Sequence, residues 1–148
     1  MAETYVLDTN VLLRAFLPSR EYGDIARRVL ALLLAGDIIA VAPRNLLYEF
    51  CGAVSKVFRQ RAQPLDAALR VIRAFQRLPI RYVEMEPLLE RALALSFACN
   101  KAFYDTCFFA VSEGEQAALC TADDRLIRGL GPDFPCRIIL LREFFQRG

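Results

Sequence analysis

The feature that most constrains the fold is an alternation of short strand-like runs with longer helical segments. The runs are apolar, rich in β-branched residues and three to five residues long, which is typical of buried strands. The predicted strands are Thr4–Leu7, Ile38–Val41, Ile80–Val83, Ala118–Cys120 and Arg137–Leu141. Strands separated by helices favour a mostly parallel sheet with helices on both faces, so we predict a three-layer α/β/α sandwich.

The segments between the strands carry helical periodicity and signals that end helices. Between Glu21 and Ala35 the apolar residues recur at three- and four-residue spacing, and Gly36 follows as a terminator. The other predicted helices are Thr9–Leu17, Asn45–Arg59, Pro64–Arg77, Glu86–Cys99, Tyr104–Glu113 and Asp123–Leu130, with a short helix after the last strand. No repeat or linker interrupts the pattern, so we expect a single domain over residues 1–148.

The composition excludes several classes of chemistry. The chain contains no histidine, which removes Ser-His and Cys-His nucleophile systems, histidine zinc sites and imidazole acid–base catalysis. The five cysteines include no CxxC pair and are typical of small core residues in a reducing cytoplasm. An enzyme built from this chain would have to work with carboxylates, hydroxyls, amines or thiols.

Hydropathy and charge say little about partners on their own. The richest apolar stretch, Val29–Pro43, is interrupted by Gly36 and Asp37, whereas a membrane span needs about 20 uninterrupted apolar residues. We therefore expect a cytoplasmic protein without membrane contact. The net charge of +2 is only weak evidence for a nucleic-acid partner.

Two aspartates follow predicted strands at their carboxyl ends. Asp8 ends the first strand, and Asp123 follows the strand Ala118–Cys120. Ligands of open α/β sheets bind beyond the carboxyl ends of the strands, so the two carboxylates converge if these strands are neighbours. Each aspartate alone could equally cap the helix that follows it.

Two further acids lie on predicted helices. Glu49 falls at the border of the apolar arc of its helix, and Asp105 begins a helix that is otherwise apolar. Carboxylates about 4 Å apart repel by roughly 4 kcal/mol at an effective dielectric near 20, so protons or a cation must neutralise them. With oxygen ligands only, the fitting cations are Mg²⁺ or Mn²⁺. We predict a catalytic metal site formed by Asp8, Asp105 and Asp123, with Glu49 binding metal directly or through water.

Three polar residues are predicted to support these acids. Asn10 and Thr121 are candidates to orient the ligands from outside the coordination shell, or only to cap helices. Asp124 directly follows Asp123, so either aspartate could be the fourth acid. The segment from Thr121 to Asp124 fits a capping box, which would give Asp124 a structural part and leave Asp123 for the metal.

Taken in order, these motifs resemble those of PIN-domain nucleases. They are the string Val6-Leu7-Asp8-Thr9-Asn10, the helical Glu49, the pair Tyr104-Asp105 and the string Thr121-Ala122-Asp123. The chain looks most like the VapC-type toxins of toxin–antitoxin pairs, and the resemblance runs from Asp8 to the final strand. It implies an α/β/α sandwich, dependence on Mg²⁺ or Mn²⁺, and cleavage of RNA phosphodiester bonds. It also implies a homodimer and a small antitoxin protein that blocks the site.

Other functions stay open at this point. A PIN-like domain without catalysis could bind RNA or protein, and a PIN nuclease could process RNA without an antitoxin. A phosphatase with an aspartate nucleophile would want a second acid two residues after Asp8, and the chain has Asn10 there. The complete set of four acids favours the nuclease.

Overall fold

The computed structural model describes residues 1–18 and 20–146, and within them five strands alternate with helices. The strands are β1 Glu3–Leu7, β2 Ile38–Pro43, β3 Ile80–Val83, β4 Ala118–Thr121 and β5 Ile138–Leu140. The α-helices are α1 Thr9–Phe16, α2 Gly23–Ala35, α3 Asn45–Gln60, α4 Leu65–Gln76, α5 Leu89–Cys99, α6 Phe103–Glu115 and α7 Asp124–Ile127. Single 3₁₀ turns, at Glu86–Leu88 and Leu141–Glu143, precede α5 and follow β5.

The strands form one parallel sheet in the order β3-β2-β1-β4-β5. The central strand β1 pairs with β2 on one side and with β4 on the other, and Val6 lies opposite both Val41 and Leu119. All three side chains are fully buried, as expected where helices cover both faces of a parallel sheet. The predicted α/β fold with a parallel sheet is therefore confirmed.

The helices bury aromatic side chains against the sheet and against one another. Phe108 and Phe109 place α6 in the core. On α3, Phe50 stacks on Phe75 of α4 with ring centroids 3.9 Å apart and meets Phe16 of α1 edge to face. This packing fixes α1 and α3 beside each other, and both helices begin at the carboxyl ends of strands.

The largest departure from the predicted elements lies after β4. The predicted helix Asp123–Leu130 is only the four-residue α7, because Arg128 has extended backbone angles and Gly129 has a φ of +79°. The prediction that the cysteines are core residues holds for Cys107 and Cys120, whereas Cys51 is exposed. No helix in the described ranges is long and apolar enough to span a bilayer.

Candidate active site

The candidate site lies at the carboxyl ends of β1 and β4. These strands are neighbours, with Leu7 opposite Cys120, and the Asp8 N–H donates to the Cys120 carbonyl at 3.0 Å. Asp8 therefore leaves the sheet beside the point where the chain continues from β4 to Asp123. The two aspartates predicted to follow strand ends therefore follow adjacent strands.

Asp8 is the most enclosed of the predicted acids, with 7% of its surface exposed. Its Oδ1 accepts a hydrogen bond from the Thr9 N–H at 2.8 Å, so Asp8 is the N-cap residue of α1. Its Oδ2 accepts from Thr121 Oγ1 at 2.8 Å and from Asn10 Nδ2 at 3.1 Å. The carboxylate thus caps a helix and also lies in the acidic group, so the two interpretations of the sequence are compatible.

Asn10 and Thr121 connect Asp8 to the segment that carries Asp123. Asn10 Oδ1 accepts from the Ala122 N–H at 2.9 Å, and Thr121 Oγ1 accepts from the Asp123 N–H at 3.1 Å. Both side chains hold the Asp8 carboxylate and the backbone after β4 at the same time. Each of them is positioned to orient Asp8 relative to Asp123.

Glu49 reaches the same region from α3. Its Oε2 accepts from Thr9 Oγ1 at 3.1 Å and from Asn45 Nδ2 at 3.0 Å. Because Thr9 is the first residue of α1, this contact holds Glu49 next to Asp8. Asn45 was not among the residues predicted from the sequence, although its spacing of four residues from Glu49 on one helix indicates a contact.

Burial raises the pKa of Asp8 to about 7, and the negative charges of Asp105 and Glu49 add to the effect. The hydrogen bonds from Thr121 and the Thr9 N–H act in the opposite direction but do not overcome it. An aspartate normally ionises near pH 4, so this carboxylate is held where its charge is poorly stabilised. A cation beside it would remove most of that penalty.

Electrostatic interactions connect the other acids in pairs. The pKa of Glu49 is raised by burial and then by the charge of Asp105. The pKa of Asp105, in the first turn of α6, is raised by burial and then by Asp123, and Lys101 partly offsets both. Asp8, Glu49 and Asp105 therefore each feel the charge of another acid, although these residues lie far apart in sequence.

The structure separates the two consecutive aspartates. Asp123 is the N-cap residue of α7, and its Oδ1 accepts from the Arg125 N–H at 2.9 Å and the Arg125 Nε at 3.3 Å. Asp124 instead forms an ion pair with Arg142 at 2.5 Å. The predicted capping box with Thr121 as N-cap is therefore wrong, because Thr121 belongs to β4 and its hydroxyl donates to Asp8.

The donor set fits a hard divalent cation in its chemistry. Four carboxylates offer only oxygen ligands, which Mg²⁺ and Mn²⁺ prefer, and they concentrate negative charge around a buried aspartate. Within the described ranges, no three acidic or thiol side chains approach closely enough to form a complete metal-binding group. The residues are gathered at one edge of the sheet without being drawn into a closed coordination shell.

An apolar groove lies away from the four acids. A groove of about 350 Å³ between α3 and α4 is lined mainly by apolar side chains, including Val54, Phe58 and Ile72. None of the four predicted acids lines it. The groove therefore has no part in the chemistry considered for the acidic residues.

Comparison with solved structures gives several similar folds. VapBC2 from Rickettsia felis, bound to a DNA fragment from its promoter, has a TM-score of 0.68 at 17% identity, covering 93% of this chain and 98% of that one. DNA-bound VapBC from Salmonella typhimurium has a TM-score of 0.65 at 17% identity, with coverages of 95% and 99%. Mycobacterium tuberculosis VapC20, a sarcin–ricin loop cleaving toxin, has a TM-score of 0.59 at 16% identity, with coverages of 88% and 92%. At these identities the likeness shows the fold alone.

Comparison of sequences gives the family. No curated protein matches the chain significantly. The family model of the PIN domain matches residues 5–129, a span that includes Asp8, Glu49, Asp105 and Asp123. Because that match extends over most of the sequence, the chain belongs to the PIN domain family.

Proposed function

We propose that this protein is a metal-dependent endoribonuclease that hydrolyses RNA phosphodiester bonds. The observation that carries the proposal is that the charges of Asp105 and Glu49 act on the buried carboxylate of Asp8 and raise its pKa. Asp123 acts in the same way on Asp105, so acids from separate parts of the chain interact at one edge of the sheet. Membership of the PIN family supports it, since PIN domains are typically metal-dependent nucleases.

In this proposal Asp8, Asp105 and Asp123 bind the metal, and Glu49 binds it directly or through water. A bound Mg²⁺ or Mn²⁺ would supply an activated water and stabilise the negative charge that develops on the phosphate. Asp8 is the fixed member of the group, because three hydrogen bonds hold its carboxylate. Glu49, fixed through its Oε2, would accept a proton from the attacking water.

We further propose that the nuclease is the toxin of a toxin–antitoxin pair. Two of the similar structures are VapBC complexes bound to DNA, and a third is a toxin that cleaves the sarcin–ricin loop. By this likeness, a small antitoxin protein would cover the acids until it is removed. A PIN nuclease that processes RNA without an antitoxin is the closest alternative.

Exposed apolar side chains on α5 support a homodimer. Leu89, Leu93 and Phe97 recur every four residues along the helix, and Phe97 is 84% exposed. An apolar stripe of this kind on a monomer marks an interaction surface, and a second copy of the chain is the occupant that the family resemblance implies. The mass of the protein in solution tests this part of the proposal.

The direct test is cleavage of RNA by the purified protein with Mg²⁺ or Mn²⁺. The wild type should cleave, and chelation of the metal or Asp8→Asn should abolish cleavage. Asp124→Asn is the matched control, because it removes a neighbouring carboxylate that pairs with Arg142. Equal activity of the wild type and Asp8→Asn would exclude the mechanism.

One observation favours a second candidate, a PIN-like domain that binds RNA or protein without cleaving. The carboxylates do not form a complete metal-binding group in the described part of the chain. RNA binding without cleavage, together with no saturable Mn²⁺ binding, would support that candidate.

A further inference from the structure

The short helix α7 carries Asp123 at its start and is held at its end by a lysine from another part of the chain. Lys101 Nζ donates hydrogen bonds to the carbonyl oxygens of Arg125 at 2.8 Å and Arg128 at 2.7 Å. The last carbonyls of a helix lack partners within the helix, and a lysine there satisfies them and complements the helix dipole. We call these two contacts the Lys101 bridge.

The other end of the bridge is fixed to the element that carries Asp105. Lys101 lies in the turn between α5 and α6, four residues before Asp105. Its N–H donates to the Ser96 carbonyl at 3.2 Å, and its own carbonyl accepts from Ser96 Oγ at 2.6 Å. The backbone of Lys101 is therefore held to the end of α5. Through its side chain, this turn is connected to α7.

We propose that Lys101 is a positioning residue that holds Asp123 opposite Asp105 by fixing α7 to the turn between α5 and α6. Repulsion between the two carboxylates pushes them apart, and α7 is short, with Leu126 its buried residue. The bridge opposes this separation by holding α7 to the turn that precedes Asp105. This inference deepens the proposed function by naming a residue, outside the four acids, on which metal affinity depends.

Charge and geometry predict opposite effects when Lys101 is replaced. Removing a positive charge near Asp105 makes the acidic group more negative, so electrostatics alone would strengthen cation binding. Loss of the bridge would let Asp123 move and would weaken cation binding, by roughly 10- to 100-fold if it acts like other residues that orient metal ligands. The sign of the change therefore distinguishes the two effects.

The test compares Lys101→Met with Lys56→Met, which removes the chain's other lysine from the exposed surface of α3. Mn²⁺ affinity is measured by calorimetry, and hydrogen exchange by NMR at the amides of Leu126 and Leu130 in and after α7. We expect Lys101→Met to weaken Mn²⁺ binding at least about tenfold and to speed exchange at both amides. Lys56→Met should change neither quantity, and Lys101→Arg, which keeps a charged donor, should recover part of both.

Mn²⁺ binding that is unchanged or tighter in folded Lys101→Met would overturn the inference. So would unchanged exchange at Leu126 and Leu130. If Lys101→Met does not fold, Lys101→Gln, which removes the charge but keeps a neutral amide donor group, is judged by the same two readouts. Neither Mn²⁺ affinity nor amide exchange depends on RNA cleavage. A wild type that binds Mn²⁺ without cleaving RNA would therefore refute the proposed function, while the two measurements would still test the Lys101 bridge.

Discussion

Asp8 and Asp123 lie at the ends of neighbouring strands, yet the protein holds them in different ways. Asp8 is 7% exposed and accepts hydrogen bonds from three residues. The side chain of Asp123 is 34% exposed, and both of its hydrogen bonds come from Arg125 on its own short helix. The sheet and α1 fix the first carboxylate, whereas the second depends on α7 and on what holds that helix.

This difference indicates that Asp8 and Asp123 would contribute to metal binding in different ways. A buried carboxylate whose pKa is raised destabilises the folded protein when it is ionised. Such groups are common at functional sites. The Asp8 side is rigid and electrostatically unfavourable, so a metal ion would stabilise it most. The Asp123 carboxylate is held by Arg125 of its own short helix, so the position of α7 would determine how tightly the ion is held.

The largest expected effect concerns stability as a function of pH without metal. Because the pKa of Asp8 is about 7 in the folded state and near 4 in the unfolded chain, the folded state holds the proton more tightly. Stability should therefore fall as pH rises from about 4 to about 7, by about 4 kcal/mol at most from this group. In Asp8→Asn most of that slope should disappear, as urea denaturation in the presence of a chelator would measure. A slope equal to that of the wild type would show that Asp8 is not the strained carboxylate.

The next effect separates the consecutive aspartates. Asp123→Asn should lower RNA cleavage more than roughly 100-fold, because it removes a proposed metal ligand and not only a residue that orients one. Asp124→Asn should retain near wild-type cleavage, because its carboxylate pairs with Arg142. Single-turnover rates at saturating Mn²⁺ compare the two. A reversal of this order would make Asp124 the fourth acid.

A smaller effect is expected where the two sides meet. Thr121→Val removes the hydroxyl that donates to Asp8 and accepts from the Asp123 N–H. The free energy of unfolding should fall by about 1–3 kcal/mol, the range for leaving a buried polar group without its partner. Because the Thr121 hydrogen bond lowers the pKa of Asp8, the decline in stability with pH should extend to higher pH. Denaturation at several pH values measures the unfolding free energy and its dependence on pH. If neither changes in Thr121→Val, Thr121 does not stabilise the Asp8 carboxylate.

The smallest effect is expected on the far side of α7. Arg142→Met breaks the exposed ion pair with Asp124, and exposed pairs contribute about 0–1 kcal/mol. The unfolding free energy should change by no more than this amount, and Mn²⁺ affinity should stay close to that of the wild type. A large loss of Mn²⁺ affinity would mean that the Arg142 contact, and not the Lys101 bridge, determines the position of Asp123.

The fold could be predicted from the sequence because local patterns indicate each strand and most helices. These patterns are the periodicity of apolar residues and helix terminators such as Gly36. It also predicted that Asp8 and Asp123 would follow strand ends, and β1 and β4 are indeed adjacent. The assignment of the four acids as ligands stays a prediction. The short length of α7 was not predicted. Its N-cap at Asp123 was one of two alternatives, because the capping signals of Thr121 and Asp123 overlap within three residues.

The Lys101 bridge lay beyond any reading of local sequence. The two acceptors of Lys101 are 24 and 27 residues further along the chain. Both are backbone carbonyls, which every residue has, so the sequence does not indicate them. By contrast, the contact of Asn45 with Glu49 was within reach, because the two residues are four apart on one helix. Local patterns predict elements and their neighbours, whereas contacts across the sheet edge require the folded chain.

The proposed function requires that four acids, far apart in sequence, form one metal site. Calorimetric titration with Mn²⁺ of the wild type and of Asp8→Asn, Glu49→Gln, Asp105→Asn and Asp123→Asn tests it most directly. We expect saturable binding in the wild type that each of these four substitutions weakens and that Asp124→Asn leaves in place. Absence of saturable binding in the wild type, or binding that is unchanged in any of the four variants, would refute the proposed metal site.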